Sequence, residues 1–298
     1  MSALEVHEWD GDGPVVLAVH GITANGLSWG PVAERLAGRA RLLAPDLRGR
    51  AGSRDVPGPY GLRRHADDLI ALLDERGLDR VVLAGHSMGA YVAAMAAVRA
   101  PQRFSSLVLV DGGLAAPLPP GTDVDALLTT VLGPAVARLD RDFASPDAYR
   151  DFWREHPAFR FGWTPALDAY LMHDLTGAGP YRSSCVAEAV RVDGADMFAG
   201  PEATTAVHHL AVPAVLLYAD RDLLDRAPGA YTGRATAGAA VPACGCPAPT
   251  TTRSCSAATA RAPSPPTCSV RPGASRCPAP PPVTPGRRGG RAAPRRGR

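Results

Sequence analysis

Gly85-His86-Ser87-Met88-Gly89 limits what this chain can fold into more than any other stretch. Val81-Val82-Leu83-Ala84 come just before it, four small or apolar residues suited to a buried parallel strand. Ala90 to Arg99 follow, Ala-rich and of high helix propensity, with Pro101 just past their end. Ser87 therefore falls on a strand-to-helix turn, with a Gly two residues away on each side. The turn is tight, and a Cβ at either Gly would strike the neighbouring strand or helix. Such a turn holds the Ser87 hydroxyl at the carboxyl edge of a sheet. The next amide, on Met88, opens the helix and can donate to an oxyanion.

G-x-S-x-G between a strand and a helix resembles the nucleophile elbow of the α/β-hydrolase fold family, in its serine-hydrolase, esterase-like branch. The resemblance covers roughly Leu4 to Arg234. It implies an α/β fold with a mostly parallel central sheet flanked by helices, carrying a helical cap. It also implies that Ser87 attacks an ester, amide or similar acyl bond, with no metal or organic cofactor. Acyl transfer and perhydrolysis use the same residues and stay open. So does a catalytically inactive member of the fold that only binds a small molecule.

Other stretches fit the same frame. Leu4 to Trp9 alternates like a half-buried edge strand, and Pro14 to Val19 is a continuous apolar strand. The latter runs into His20-Gly21-Ile22. In the family a His-Gly pair opens this loop and the next residue supplies the second oxyanion amide. The resemblance therefore assigns Ile22 N–H as partner to Met88 N–H, with His20, Gly21, Gly85 and Gly89 shaping their support. Trp29 to Leu36 predicts a helix, Arg41 to Pro45 a strand, and Leu62 to Arg76 an amphipathic helix that carries His65 as a polar residue. Asp46-Leu47-Arg48-Gly49 resembles a family turn in which the Asp fixes the loop. Ser106 to Val110 and Val212 to Ala219 read as two further buried strands.

Between those two strands no β-like run occurs, and aromatic residues are frequent. Residues 1–113 and 208–236 are thus expected to form the core, and 114–207 a helical cap over an apolar acyl pocket. The triad acid is expected after the last clear strand, at Asp222. Asp220 is its closest competitor, and Asp111 after the preceding strand is a weaker one. The triad histidine should come later still, yet none of the eight histidines follows Asp222. His208 and His209 lie before the strand, roughly 30 Å from its other end at ~3.3 Å per residue. His86 belongs to the elbow and is expected to point elsewhere. His20 shapes the oxyanion loop, which leaves His156 and His173 in the cap. The expected enzyme is therefore impaired.

Composition explains the gap. Residues 237–298 contain no Leu, Ile, Phe, Tyr, Trp, Met, Asp, Glu or His, and hold five of the six Cys. A core cannot be made from them, and a disordered Pro/Ala/Arg-rich tail is expected, with the chain truncated before its last strand and helix. The edge of the Val212–Ala219 strand would then be bare. The abrupt change reads as an out-of-frame translation of a GC-rich gene. Reading the DNA after the Arg234 codon in the other two frames tests this, because one of them must encode an apolar strand followed by a His.

The chain has no Lys. Residues 1–236 hold 22 Arg against 29 acidic residues, whereas 237–298 hold 10 Arg and none. The body is mildly acidic, so nucleic acid is not an expected partner. No run approaches the ~20 apolar residues of a membrane span, and Met1 to Asp10 lacks the apolar stretch of a signal peptide. One cysteine before residue 237, Cys185, fits a reducing cytoplasm. The expected partner is a small apolar acyl substrate, and oligomeric state is not legible.

Overall fold

A computed structural model describes residues 4–115, 118, 121–159, 162–231 and 241–246. The apolar runs form a sheet. In chain order the first elements are β1 (Val6–Trp9), β2 (Val15–Val19), α1 (Gly30–Leu36), β3 (Arg41–Pro45), α2 (Leu62–Glu75), β4 (Val81–His86), α3 (Met88–Arg99) and β5 (Phe104–Val110). Then come α4 (Val124–Leu132), α5 (Pro134–Ala137), α6 (Pro146–Arg154), α7 (Pro165–His173), β6 (Leu175–Thr176), β7 (Arg182–Ser183), α8 (Ala187–Ala199) and α9 (Pro201–Thr205). β8 (Ala214–Ala219) and β9 (Ala243–Cys246) close the series.

The sheet order is β1-β3-β2-β4-β5-β8-β9. β1 pairs antiparallel with β3, and the other pairs are parallel. Parallel strands need helical crossovers, which cover both faces, so their residues can be apolar throughout. Leu17, Leu43, Leu83, Leu107, Leu109 and Leu216 are accordingly buried in one core with α2 and α3. Residues 88 to 97 of α3 are all buried, and their Ala-rich composition lets the helix lie close to the sheet.

Between β5 and β8 the described residues form the helices α4 to α9, with the two-residue strands β6 and β7 pairing antiparallel. Phe143, Tyr149, Trp153 and Leu171 form a separate apolar cluster there. Among the described residues no helix is long and apolar enough to cross a membrane.

One expectation is corrected here. The sheet does not stop at β8. Leu216, Leu217, Tyr218 and Ala219 pair with Ala243, Cys244, Gly245 and Cys246 in parallel register, so the edge of β8 is covered. Strand pairing uses backbone groups, which composition does not measure. Val241 supplies the apolar side chain that buries this segment's start. The rest of the expected tail, 237–240 and 247–298, lies outside the described residues. His65, read as a polar residue of this helix, lies on α2 and is fully buried against Asp193 of α8, with Nε2 2.9 Å from Oδ2.

Candidate active site

β4 ends and α3 begins at Ser87, which holds φ 52° and ψ −121°. A residue with a side chain pays ~1–3 kcal/mol for such a backbone, so its surroundings must impose it. They do. Ser87 N–H donates to Val110 O at 2.8 Å, and Ser87 O accepts from Ala90 N–H at 3.0 Å. A Cβ on Gly85 would sit 2.2 Å from Gly89 O, and one on Gly89 would sit 2.3 Å from Val19 O. Those two glycines let strand, turn and helix meet. Gly112, which sequence reasoning missed, backs the same turn, because a Cβ there would lie 2.1 Å from Ser87 O. Its signal was the Gly112-Gly113 pair directly after a buried strand.

The loop after β2 lies against the elbow. A Cβ on Gly21 would come within 3.4 Å of both Ser87 Cβ and His86 Nδ1. The loop is braced at every step. Leu47 N–H donates to His20 Nε2 at 2.9 Å, so the His20 proton sits on Nδ1 and is donated to Gly21 O at 2.8 Å. Ala24 N–H donates to the same carbonyl at 3.1 Å. In a planar trans peptide the Ile22 N–H then faces the opposite way. Ile22 O accepts two bonds from the buried Arg50, from Nε at 3.1 Å and Nη2 at 2.9 Å. Thr23 O accepts from the buried Arg138 at 2.6 Å, and Gly26 N–H donates to Asp46 Oδ1 at 2.7 Å. Met88 N–H opens α3, where first-turn amides have no intrahelical acceptor.

Arg50 is held in turn. Its Nη1 lies 2.5 Å from Asp193 Oδ2, which also meets His65. Burial alone would raise the Asp193 carboxyl, but Arg50 and His65 outweigh it and hold the group well below the usual carboxylate range. Sequence reasoning missed Arg50, since 143 residues separate it from Asp193.

These elements open onto a cavity of about 430 Å³. Gly21, Ile22 and Ser87 line it, with Asp111 and Asp222. Trp29, Trp153, Phe159, Leu167 and Tyr170 make much of its wall apolar. Met88 is fully buried behind the elbow, and His20 beneath the loop. Asp220 is exposed and does not line the cavity.

Asp222 sits in the loop after β8 and accepts from Leu224 N–H at 3.0 Å and Arg226 N–H at 2.7 Å. Its other oxygen pairs with Arg226 Nε at 2.8 Å. Asp111 closes β5 with φ 46°, its N–H donating to Leu217 O at 2.7 Å.

Two histidines line the cavity, His86 and His156. The first corrects the expectation that His86 points away. Burial lowers it to about 4, so it is neutral at pH 7 and a weak base. His156 is also lowered to about 4, chiefly by burial and then by Arg138. Its Nδ1 accepts from Ala158 N–H at 3.1 Å, so Nε2 carries the proton and neither nitrogen is open to accept another. His173 lies elsewhere, with Nε2 2.6 Å from Asp46 Oδ2. His208 and His209 lie in a turn before β8.

A sequence model described as the alpha/beta hydrolase fold matches residues 14–146. The chain is 34% identical over 186 residues to the lipase LipV of Mycobacterium tuberculosis, covering 57% of this chain and 69% of that protein. The chain belongs to the α/β-hydrolase fold family. A further relative is the N-formylmaleamate deformylase of Pseudomonas putida, 39% identical over 110 residues, or 37% of this chain and 41% of that one. The chain spans 38% of the length of three curated mycobacterial relatives, from M. bovis and M. tuberculosis, each 35% identical to it over 128 residues and matched over 40% of this chain. In three dimensions the α/β-hydrolase fold extends over most of the chain. The crystal structure of E-2-(acetamidomethylene)succinate hydrolase superposes with a TM-score of 0.64 at 22% identity, over 85% of this chain and 90% of that one. That of N-formylmaleamic acid deformylase from P. putida S16 does so with 0.58 at 27% identity, over 78% and 82%.

Proposed function

We propose that this chain is an acyl hydrolase of the α/β-hydrolase family whose catalysis is impaired for want of a base. Ser87 is the nucleophile, Ile22 and Met88 N–H are the oxyanion donors, and Asp222 is the triad acid. The observation that carries the reading is the strained Ser87 turn, set beside the braced Ile22 loop on one cavity that Asp222 also lines. A serine hydroxyl needs a base to attack at neutral pH. No His follows Asp222 in the sequence, both His20 nitrogens are engaged, and His86 and His156 are poor acceptors for the reasons above. What remains is oxyanion stabilisation, about 3–4 kcal/mol per donor in studied enzymes, together with binding.

The helices between β5 and β8 act as a cap in this reading, and the apolar wall supports an apolar acyl group as substrate. Relatives named as a lipase and as hydrolases support hydrolysis over acyl transfer. A reducing, cytoplasmic setting belongs to it too, supported by the buried, free Cys185. A binding protein without chemistry is the second reading, favoured by the same missing base.

Fluorophosphonate labelling and p-nitrophenyl ester turnover, with Ser87→Ala as control, decide among these. The expected result is slow labelling of Ser87 and a residual turnover, both lost in Ser87→Ala. Absence of labelling would remove Ser87 as nucleophile and leave the binding protein. Fast turnover that Ser87→Ala abolishes would end the impairment reading.

A further inference from the structure

Away from the cavity, Glu5, His7, Asp46 and His173 bring four ligand atoms within 4.8 Å of one another. They come from the start of β1, the loop after β3 and the last residue of α7. We propose that this cluster is a site for a divalent transition metal of the zinc type, which fastens α7 to the sheet.

Three observations carry the proposal. The first is the donor set. Two imidazole Nε2 atoms with carboxylate oxygens suit zinc and its neighbours, whereas magnesium and calcium favour all-oxygen shells. The second is charge. Two carboxylates face two imidazoles, and one dication balances both carboxylates while the imidazoles stay neutral. The third is preorganisation. Asp46 is fully buried, and each of its oxygens is fixed by a backbone amide, Oδ1 by Gly26 N–H at 2.7 Å and Oδ2 by Gly52 N–H at 3.0 Å. Each oxygen also faces one imidazole, His7 Nε2 at 3.3 Å and His173 Nε2 at 2.6 Å. Glu5 Oε1 stands 4.0 Å from His173 Nε2. Ligand atoms about 2.0–2.2 Å from a tetrahedral zinc lie roughly 3.3–3.6 Å apart, so shifts of under about 1 Å convert the cluster into a coordination shell. The amides orient the central carboxylate as outer partners orient metal ligands. On binding, each imidazole presents an Nε2 lone pair to the metal, and the proton that Nε2 held toward Asp46 passes to solvent or, in a neutral ring, is replaced by one taken up on Nδ1.

The placement gives the site a consequence. His173 ends α7, and Tyr170, one turn earlier, lines the cavity while its carbonyl accepts from Asn25 Nδ2 at 3.0 Å. A metal at His173 holds that wall against the Ile22 loop.

The test uses the full chain, stripped with chelator and titrated with Co²⁺ and then Zn²⁺. The expected result is one saturable cobalt site whose visible spectrum lacks thiolate charge transfer, which separates it from the chain's six cysteines. Thermal stability rises with Zn²⁺. The variant His7→Gln/His173→Gln keeps an N–H facing each Asp46 oxygen but offers no imidazole. It should bind more weakly by over about a hundredfold, since even outer partners of metal ligands are worth 10–100-fold. X-ray absorption of the zinc-loaded wild type, which does not depend on that variant folding, should count two imidazoles. No saturable binding, a thiolate spectrum, fewer than two imidazoles, or unchanged affinity in the double variant would each overturn the proposal.

Discussion

The two loops that meet at the cavity are held in opposite ways. The Gly21–Gly26 loop is gripped from outside. Buried Arg50 and Arg138 take its carbonyls, Asp46 takes an amide, and His20 orients the peptide before Ile22. These braces come from residues 20 to 138 and are themselves anchored as far away as Asp193. The loop bearing Asp222 is gripped from within. Its carboxylate is satisfied by Leu224 and Arg226, two and four residues further on. A loop braced by distant buried charge resists movement, because any shift leaves an uncompensated charge behind. A loop braced by its own neighbours holds its shape but not its position. The Gly21–Gly26 loop is therefore built for preorganisation and the Asp222 loop is not, which is what the proposed impairment of an oxyanion-forming site without a histidine base would leave.

The strongest way to break this contrast is at the joint between elbow and loop. Gly89→Ala forces a Cβ to 2.3 Å from Val19 O and 2.6 Å from His20 O, both backbone atoms that cannot step aside cheaply. The variant is expected to fail to accumulate as folded protein, read by circular dichroism and soluble yield.

Arg50→Met comes next. It strands Asp193 and His65 in the interior and releases Ile22 O. Breaking a buried charge network of this kind costs ~3–5 kcal/mol, to be measured by urea unfolding, and Ser87 labelling should slow with it.

Acid should act on the braced side specifically. Burial holds His20 and His86 near 4 against 6.5 when exposed, and His156 likewise. Between these values the unfolded chain binds protons that the native chain does not. Stability is full above pH 6.5 and is lost as pH falls toward 4. His173, raised by its hydrogen bond to Asp46, contributes fully below pH 6.5 and so does not offset the loss in this window. The thermal midpoint should drop by at least about 5 °C from pH 6.5 to 4.5. A flat profile would mean that the histidine side is not the one under strain.

The smallest effect is expected at Asp222→Asn. Its partner Arg226 is 57% exposed, and pairs of that kind are worth ~1 kcal/mol or less. Under the proposed impairment, residual ester turnover should stay within about threefold of wild type, because Asp222 then has no histidine to orient. A loss of ~10⁴, as in intact triads, would reveal a base coupled to Asp222 and erase the contrast.

The parts legible in the sequence are those with a local period or a local turn. β2, β4, β5 and β8 were readable as apolar runs, and the elbow as Gly85 to Gly89 between a strand and an Ala-rich helix. Asp46 as a loop-fixing residue was readable from its place after β3, and His20 as a shaper of its loop was implied only by the family resemblance. The burial of His65 was not legible, because an amphipathic period shows which residues of α2 are polar, not whether a buried carboxylate waits opposite one of them. β9 was misjudged because composition weighs side chains, while the edge of β8 needs only backbone groups to pair with.

The sequence by itself determined the α/β frame and the turn that presents Ser87, since strand, glycine and helix signals all act within about twenty residues. Tertiary structure alone decided what braces that turn's neighbours. Arg50 with Asp193, Arg138 with Thr23, and Asp46 with His7 and His173 are pairings across tens to over a hundred residues, and a buried charge carries no periodic mark of its partner. Long-range electrostatics is settled by which loops the fold brings together, and only coordinates record that.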